Sequence, residues 1–341
     1  MTKYTISMIR GDGVGPELVH SANLLLEAIS DNSDTKFNIE SMDAGDSSVS
    51  KFGKAMPDSV LDIIRKSDAC LKGPVGESAA DVVLVLRQSM DLYANVRPVK
   101  SFPNLRGLSD AIDLVIIREN TEDLYLGWEF EADCNTVITL RRTSEKASRR
   151  IAEYAFRTSS QRNKKKKVVA VHKANVLRKG DGLFVKTCKN VSKNFPEIEF
   201  TEQYVDACAM NLIRKPDDYD IILTTNMFGD ILSDEALQVA GSIGMGPAGN
   251  IGDDFGLFEP VHGAAFDIAG KNIANPSSIL LSSKLMLEWL GGKRSDAGAI
   301  KEAQKVEHAI RKLLIGNKKT IDIGGDMSTF EFTKAVIDLM Y

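Results

Sequence analysis

Short apolar runs rich in β-branched residues alternate with stretches whose apolar positions recur every three or four residues. Residues 4–9, 37–41, 114–117, 168–172 and 221–224 read as strands. Residues 16–29, 57–66, 144–162 and 182–194 carry the helical period. Strand and helix in turn predict an α/β fold with a parallel or mixed sheet. Two stretches break the rhythm. Residues 126–142, with GWEFEADCNTVITLRR, lack a helical period and read as an extended excursion able to pair with a second copy. Residues 240–258 are rich in Gly, Pro and Asn and read as a long loop before a helical C-terminal third.

A chain of 341 residues, 43% of them hydrophobic and 26% charged, is expected to fold as one large or two medium domains. Its 43 Lys and Arg against 47 Asp and Glu leave a net charge of −4, which argues against nucleic acid or an anionic membrane as a partner and favours small-molecule work. The one basic run, residues 162–167, reads as a solvated face. Cys70, Cys134, Cys188 and Cys208 form no CxxC pair, so neither a zinc knuckle nor a disulfide framework is expected. The sequence has no apolar run of about 18 residues and no signal-like start, so a cytoplasmic location is expected.

The sharpest chemical signal is Asn226-Met-Phe-Gly-Asp230-Ile-Leu-Ser-Asp234, directly after the strand 221–224. A turn at Gly229 followed by helix would set Asp230 and Asp234 on one helical face. Like charges at that spacing repel, so a cation between them gives a reason for the pair, although acids in a first helical turn also stabilise it through the helix dipole. Asp206 is a third acid following a strand. Oxygen donors of this kind select Mg²⁺ or Mn²⁺ over zinc. Arg87, Arg97 and Arg118 supply rigid forks suited to a polycarboxylate ligand, though any one of them alone is also compatible with a surface ion pair. Tyr125 and Lys173 are two proton carriers whose roles spacing alone leaves open. Gly11-Asp-Gly13-Val-Gly15 follows a strand but lacks the full dinucleotide spacing, which argues against a Rossmann domain. The stretch from Glu259 to Lys271 is a better nucleotide loop, with Gly263 for close backbone approach and Asp267 for ribose hydroxyls.

Seven motifs in order, GDGVGPE, LRQSMDLYANVRP, RENTEDLY, VHKANV, NMFGDILSDEA, GNIGDD and EPVHGAAFDIAGKNIANP, resemble the β-decarboxylating dehydrogenases of isocitrate, homoisocitrate and 3-isopropylmalate from Gly11 to about Gly325. The resemblance implies a two-domain, mixed-sheet fold that is not Rossmann. It implies a large cofactor domain over residues 1–98 and 251–341. A small domain over 99–250 would carry the dimer interface, the metal ligands and an intersubunit arm near 126–142. It implies that Arg87, Arg97 and Arg118 hold substrate carboxylates and that Asp206, Asp230 and Asp234 hold the metal, which stabilises the enolate formed when CO₂ leaves. Lys173 matches the proton-transfer lysine of the oxidation and Tyr125 the acid that protonates the enol. Lys173 and Asp206 would reach the site from the partner subunit of a homodimer. Gly73, Pro74, Val75, Asn175, His262, Gly263, Asp267, Ile268 and Asn275 match the cofactor-binding positions.

Asp267-Ile268 stand where NADP-dependent relatives usually place Lys and Tyr. A carboxylate there would repel a 2′-phosphate, so NAD is expected. Val82, Val83 and Leu84 precede Arg87 where the isocitrate branch places polar side chains. That apolar wall favours 3-isopropylmalate, and with it leucine biosynthesis. RENTEDLY is the reading typical of isocitrate and homoisocitrate enzymes, which keeps those substrates as the alternative. An inactive regulatory subunit is the third reading, against which Tyr125, Lys173 and the three aspartates all stand.

Overall fold

The computed structural model describes residues 2–341. They form two compact units, one of residues up to 90 with 102–106 and 241–341, the other of residues 91–101 with 107–240. The first stretch of the chain runs β1 (Thr2–Ile9), α1 (Gly15–Asn32), β2 (Thr35–Met42), α2 (Asp46–Phe52), α3 (Asp58–Lys66), β3 (Ala69–Lys72) and α4 (Ala79–Ser89). The second unit contains β4 (Ala94–Lys100), β5 (Asp113–Glu119), β6 (Glu129–Asp133), β7 (Thr136–Thr139) and α5 (Glu145–Arg162). It continues with β8 (Lys167–His172), α6 (Gly180–Ser192), β9 (Glu199–Tyr204), α7 (Val205–Arg214), β10 (Ile221–Thr224) and α8 (Asn226–Ala240). The chain then re-enters the first unit with β11 (Pro247–Ile251), β12 (Gly256–Pro260), α9 (Ser277–Arg294), α10 (Ala297–Ile315) and α11 (Thr329–Met340).

In the first unit the strands lie in the order β2-β1-β3-β12-β11, all parallel except the β11–β12 hairpin. In the second the order is β4-β5-β10-β8-β9, all parallel except β4 against β5. These mixed sheets lack the doubly wound order of a dinucleotide domain, as the broken glycine fingerprint implied. Parallel strands covered on both faces are apolar throughout rather than alternating, and β3 and β10 are buried at every position. Helix α9 is buried around most of its surface. Its inward serines donate to backbone carbonyls, Ser282 Oγ to Glu259 O at 2.8 Å, which fixes the end of β12.

One expectation changes. Residues 240–258 are not one long loop, because they contain β11 and β12 paired from Pro247↔Pro260 to Ile251↔Gly256. Their glycines serve packing, since a Cβ at Gly256 would stand 2.7 Å from the Phe258 ring. The compact units divide at 90/91, 101/102, 106/107 and 240/241, and β4 pairs with β5 along its full length. The excursion at 126–142 is extended as its lack of helical period implied, a two-stranded hairpin, β6 with β7, exposed at every strand position. The basic run is solvated as expected at Lys164 and Lys165, while Arg162 is ion-paired with Asp113 and Asp220. No helix among the described residues is long and apolar enough to cross a membrane.

Candidate active site

Adjacent strands present two of the expected arginines in the second unit. Asn95 of β4 pairs with Arg118 of β5, so Arg97 and Arg118 stand two register positions apart and share a face of the sheet. Helix α8 packs on that face. It begins at Asn226, three residues before the expected turn at Gly229. Gly229 is needed for space instead of for a turn, because a Cβ there would lie 2.6 Å from Cβ and Cγ of Arg118. The arginine stem therefore crosses α8 in contact with its backbone, and Arg118 is 1% exposed.

Both guanidinium groups converge on α8. Arg118 donates Nε to Asn226 at 2.8 Å and Nη1 to Asp230. Arg97 donates Nη2 to Asp230 at 2.9 Å, and its Nη1 reaches Ser233 at 2.5 Å and Asp234 at 3.5 Å. Tyr125 donates its hydroxyl to the other Asp230 oxygen and lies under Arg118, whose Cζ is 4.8 Å from the ring centroid. The Asp230 and Asp234 side chains are 38% and 54% exposed, so charged oxygens four residues apart face accessible space beside two fixed cations. Such a set can hold an anionic ligand and a hard divalent cation together.

A second pair in the same unit stands on β8 and α7. Lys173, immediately after β8, places Nζ 2.8 Å from Asp206 in the first turn of α7, and that bond holds the Asp206 carboxyl below the usual carboxylate range. Asn175 is exposed on the turn after Lys173. Among the described residues no three His, Cys, Asp or Glu side chains form a metal-holding group. One chain thus brings Asp230 to Asp234 and Lys173 to Asp206, without uniting the three aspartates.

In the first unit Arg87, on the last turn of α4, donates Nε to Asn250 at 3.0 Å. Asn250 donates to Glu259 at 2.7 Å, and Lys72 pairs with the other Glu259 oxygen at 2.7 Å. Burial alone would raise the Glu259 carboxyl, but Lys72 and then Arg87 outweigh it and hold it at about 2. Val83 and Leu84, one helical turn before Arg87, share its face and are half-buried. Val82 does not join that wall, since it is fully buried on the opposite side of α4.

Three loops meet nearby in the same unit. Asp12 N donates to Pro74 O at 2.9 Å and Val14 N to Ala264 O at 2.8 Å, and the Asp12 carboxylate accepts from the backbone of Asp46, Ser47 and Gly76. Gly11 and Gly13 take φ of 72° and 57°, conformations that glycine adopts without strain. Gly73, Pro74 and Val75 are buried behind this contact. Asp267 is exposed and Ile268 half-buried, and a side chain at Gly263 would meet nothing within 4 Å, which leaves its backbone open to a ligand. Asn275 donates to Asp322 at 3.0 Å. His262 lies against the Gly263 carbonyl, and burial lowers its pKa, leaving the ring neutral at pH 7.

Sequence reading overlooked Arg141, Asp123, Asp181, Lys72 and Asn250. Arg141 sat inside the stretch read only as an excursion, and nothing in linear spacing pairs it with Asp123 and Asp181. Asn250 lay in the stretch read as loop.

Comparison with known proteins places these features in context. A family profile described as isocitrate/isopropylmalate dehydrogenase matches residues 5–336. A 3-isopropylmalate dehydrogenase of Saccharolobus solfataricus is 45% identical over 99% of this chain and 98% of its own. An isocitrate/homoisocitrate dehydrogenase of Thermus thermophilus is 40% identical over 99% and 98%. Among solved structures, isocitrate dehydrogenase from Methylococcus capsulatus superimposes with a TM-score of 0.92 at 37% identity, covering 99% of each chain.

Proposed function

Because the chain belongs to the isocitrate/isopropylmalate dehydrogenase family, we infer that it catalyses the NAD-dependent oxidative decarboxylation of 3-isopropylmalate to 4-methyl-2-oxopentanoate and CO₂, a step of leucine biosynthesis. The observation that carries the substrate is the face of α4 where Val83 and Leu84 stand one turn from Arg87. An apolar pair suits an isopropyl group and leaves a third carboxylate without a partner. The relative from Saccharolobus solfataricus supports the same substrate.

The isocitrate-like motif does not weigh against this. Glu119 accepts from Thr121 N, Thr121 Oγ1 and Glu122 N, Asn120 donates to Leu92 O, and Glu122 accepts from Ser144 N and pairs with Arg142. Asp123 accepts from Leu124 N, Met227 N and Arg141. The polar side chains of RENTEDLY between the arginine and the tyrosine are engaged in holding the second unit together, so they do not distinguish one substrate from another.

The roles are those that the family resemblance implies, and the chemistry of each group fits them. Arg87, Arg97 and Arg118 hold substrate carboxylates. Lys173 accepts the proton of the 2-hydroxyl as it is oxidised, and Tyr125 gives a proton to the enol carbon after CO₂ departs. Asp230 and Asp234, with Asp206, fit Mg²⁺ or Mn²⁺ because all their donors are carboxylate oxygens and two are partly exposed on one helical face. The open backbone at Gly263 and the exposed carboxylate of Asp267 fit NAD; Gly73, Pro74, Val75, Asn175, His262, Ile268 and Asn275 are cofactor positions by the family resemblance alone. When bound, the cation supplies Lewis-acid polarisation of the substrate oxygen and NAD the acceptor for hydride. A homodimer with shared sites is what the family resemblance implies, and exposed apolar side chains on the hairpin (Phe130, Val137), on α7 (Met210, Ile213) and on α8 (Ile231) support it.

The test is kcat/KM for 3-isopropylmalate, homoisocitrate, isocitrate and malate with Mn²⁺ and either NAD or NADP, followed by reduced-nicotinamide absorbance. Preference for 3-isopropylmalate with NAD is expected. Preference for a tricarboxylate would replace the substrate, comparable turnover with NADP would remove the role of Asp267, and a folded chain inactive on all four would restore the regulatory-subunit reading.

A further inference from the structure

Arg141, in the strand-free stretch between β7 and α5, enters the second unit with a side chain 15% exposed and meets two buried acids. Its Nε and Nη2 donate to Asp123, and its Nη1 donates to Asp181 at 2.6 Å. Nη2 also donates to Thr225 Oγ1 at 2.9 Å, at the residue that precedes α8. The Asp123 and Asp181 side chains are 3% and 0% exposed, so each depends on this cation for its charge to be tolerated inside the protein.

Each partner of Arg141 leads to a different proposed catalytic element. Asp123 stands two residues before Tyr125 and adopts φ 74° and ψ −153°, a conformation costly for a residue with a Cβ, which the surrounding bonds impose. Its carboxylate also accepts from Met227 N at 3.1 Å in the first turn of α8, the helix that carries Asp230 and Asp234. Asp181 uses its second oxygen to accept the backbone N–H of Lys173 at 2.6 Å. One guanidinium therefore spans the turn bearing Tyr125, the start of the proposed metal helix and the turn bearing Lys173. Burial works against its charge, but Asp123 and then Asp181 outweigh it and raise the pKa further, so Arg141 stays cationic across the working range.

We propose that Arg141 is a positioning residue for the reaction, a single rigid fork that fixes Tyr125, Lys173 and α8 relative to one another. Arginine is required because the planar guanidinium reaches two carboxylates and a hydroxyl in fixed directions, whereas a lysine ammonium on a flexible stem cannot hold all three at once. The proposal rests on the roles given above to Tyr125 and Lys173. Because Lys173 pairs with Asp206 and Tyr125 with Asp230, the fork also makes one mechanical connection between the two half-sites of the chain. A displacement of about 1 Å is enough to cost on the order of a hundredfold in rate.

The test compares wild type, Arg141→Lys and Asp181→Asn by melting temperature, KM for NAD, kcat, and the primary isotope effect on kcat with 3-isopropylmalate deuterated at C2. Arg141→Lys keeps the charge and is expected to melt within a few degrees of wild type. Its kcat is expected to fall about tenfold or more at unchanged KM for NAD, and the isotope effect to rise as oxidation becomes slower than product release. Asp181→Asn leaves Arg141 on Asp123 and weakens both bonds of Asp181, to Arg141 Nη1 and to the Lys173 N–H, so it gives the same result if Arg141→Lys does not fold. A merely structural role would lower kcat in proportion to the folded fraction and leave the isotope effect where it was. Unchanged kcat, or a fall in kcat without a rise in the isotope effect, overturns the role of Arg141. Absence of wild-type turnover in the same assay overturns both this proposal and the functional reading on which it rests.

Discussion

Replacing Glu259 with glutamine removes the only negative charge in the relay Lys72–Glu259–Asn250–Arg87 and keeps its shape. The effect follows from the protonation equilibrium. A carboxyl held at about 2 rather than at its ordinary 4.5 contributes about 3 kcal/mol to folding at neutral pH, at ~1.4 kcal/mol per pH unit. That agrees with the roughly 3–5 kcal/mol lost when one partner of a buried ion pair is deleted. Lys72 is 2% exposed and would be left facing an amide that can offer it an N–H as readily as an oxygen. At roughly 2–4 °C per kcal/mol for a unit of 150–250 residues, the melting temperature of Glu259→Gln should drop by about 6–12 °C at pH 7. The pH dependence carries the sharper sign. Because the folded carboxyl is depressed, its contribution is complete above pH 4.5 and is lost as pH falls towards 2. Calorimetry of both proteins across pH 2–7, a range set by those two values, should show their melting temperatures converging in acid. A difference of less than about 2 °C at pH 7, or one that persists unchanged at pH 2, would refute the assignment of Glu259 as the charged centre of the relay.

Gly229→Ala should gain about 1 kcal/mol of helix propensity yet force the Arg118 stem out of its place, at an overpacking cost of roughly 1–3 kcal/mol. Melting should therefore change little while KM for the hydroxy acid rises about tenfold or more; an unchanged KM would show that Arg118 tolerates displacement. Asp230→Asn should weaken Mn²⁺ binding by on the order of a hundredfold, measured by electron paramagnetic resonance without any turnover, and equal binding would contradict the metal assignment. Mixing inactive Tyr125→Phe with inactive Lys173→Ala should restore about a quarter of wild-type activity, since half of randomly paired dimers would hold one intact site of two. No recovery after subunit exchange, demonstrated by mass spectrometry of mixed dimers, would rule out shared sites.

Much of the scaffold was legible because parallel strands and amphipathic helices announce themselves by period. The strands expected at 168–172 and 221–224 are β8 and β10 to within a residue, and Ser144 caps α5 where the periodicity placed its start. The stretch at 240–258 misled because glycine and proline have two uses. In β11 and β12 glycines make room for Phe258 and Leu285, which only the packed neighbours reveal. The same ambiguity moved the start of α8, where Gly229 reads as a turn until the Arg118 side chain is seen against it. Val82 was counted into the substrate wall because adjacent apolar residues look alike in sequence. A helix separates them by 100°, and only Val83 and Leu84 remain on the side of Arg87.

Charged residues posed the harder problem, since the sequence gives no sign of which acid faces a ligand and which faces another part of the chain. Asp230 and Asp234 stand out by spacing on a helix that follows a strand, where two like charges would otherwise repel. Glu119, Glu122 and Asp123 lie in a motif at least as acidic, yet their oxygens accept from neighbouring backbone or pair with Arg141 and Arg142. The physical distinction is burial. Those three residues are at most 7% exposed, whereas the side chains of Asp230 and Asp234 are 38% and 54% exposed. An acid whose lone pairs are all met inside the protein serves the scaffold, and one with accessible oxygens beside fixed cations can still take a ligand. By that criterion Glu119, Glu122 and Asp123 form the frame that carries Tyr125, so substitutions at them should alter turnover of every accepted hydroxy acid together, while substitutions at Val83 and Leu84 should change which one is preferred.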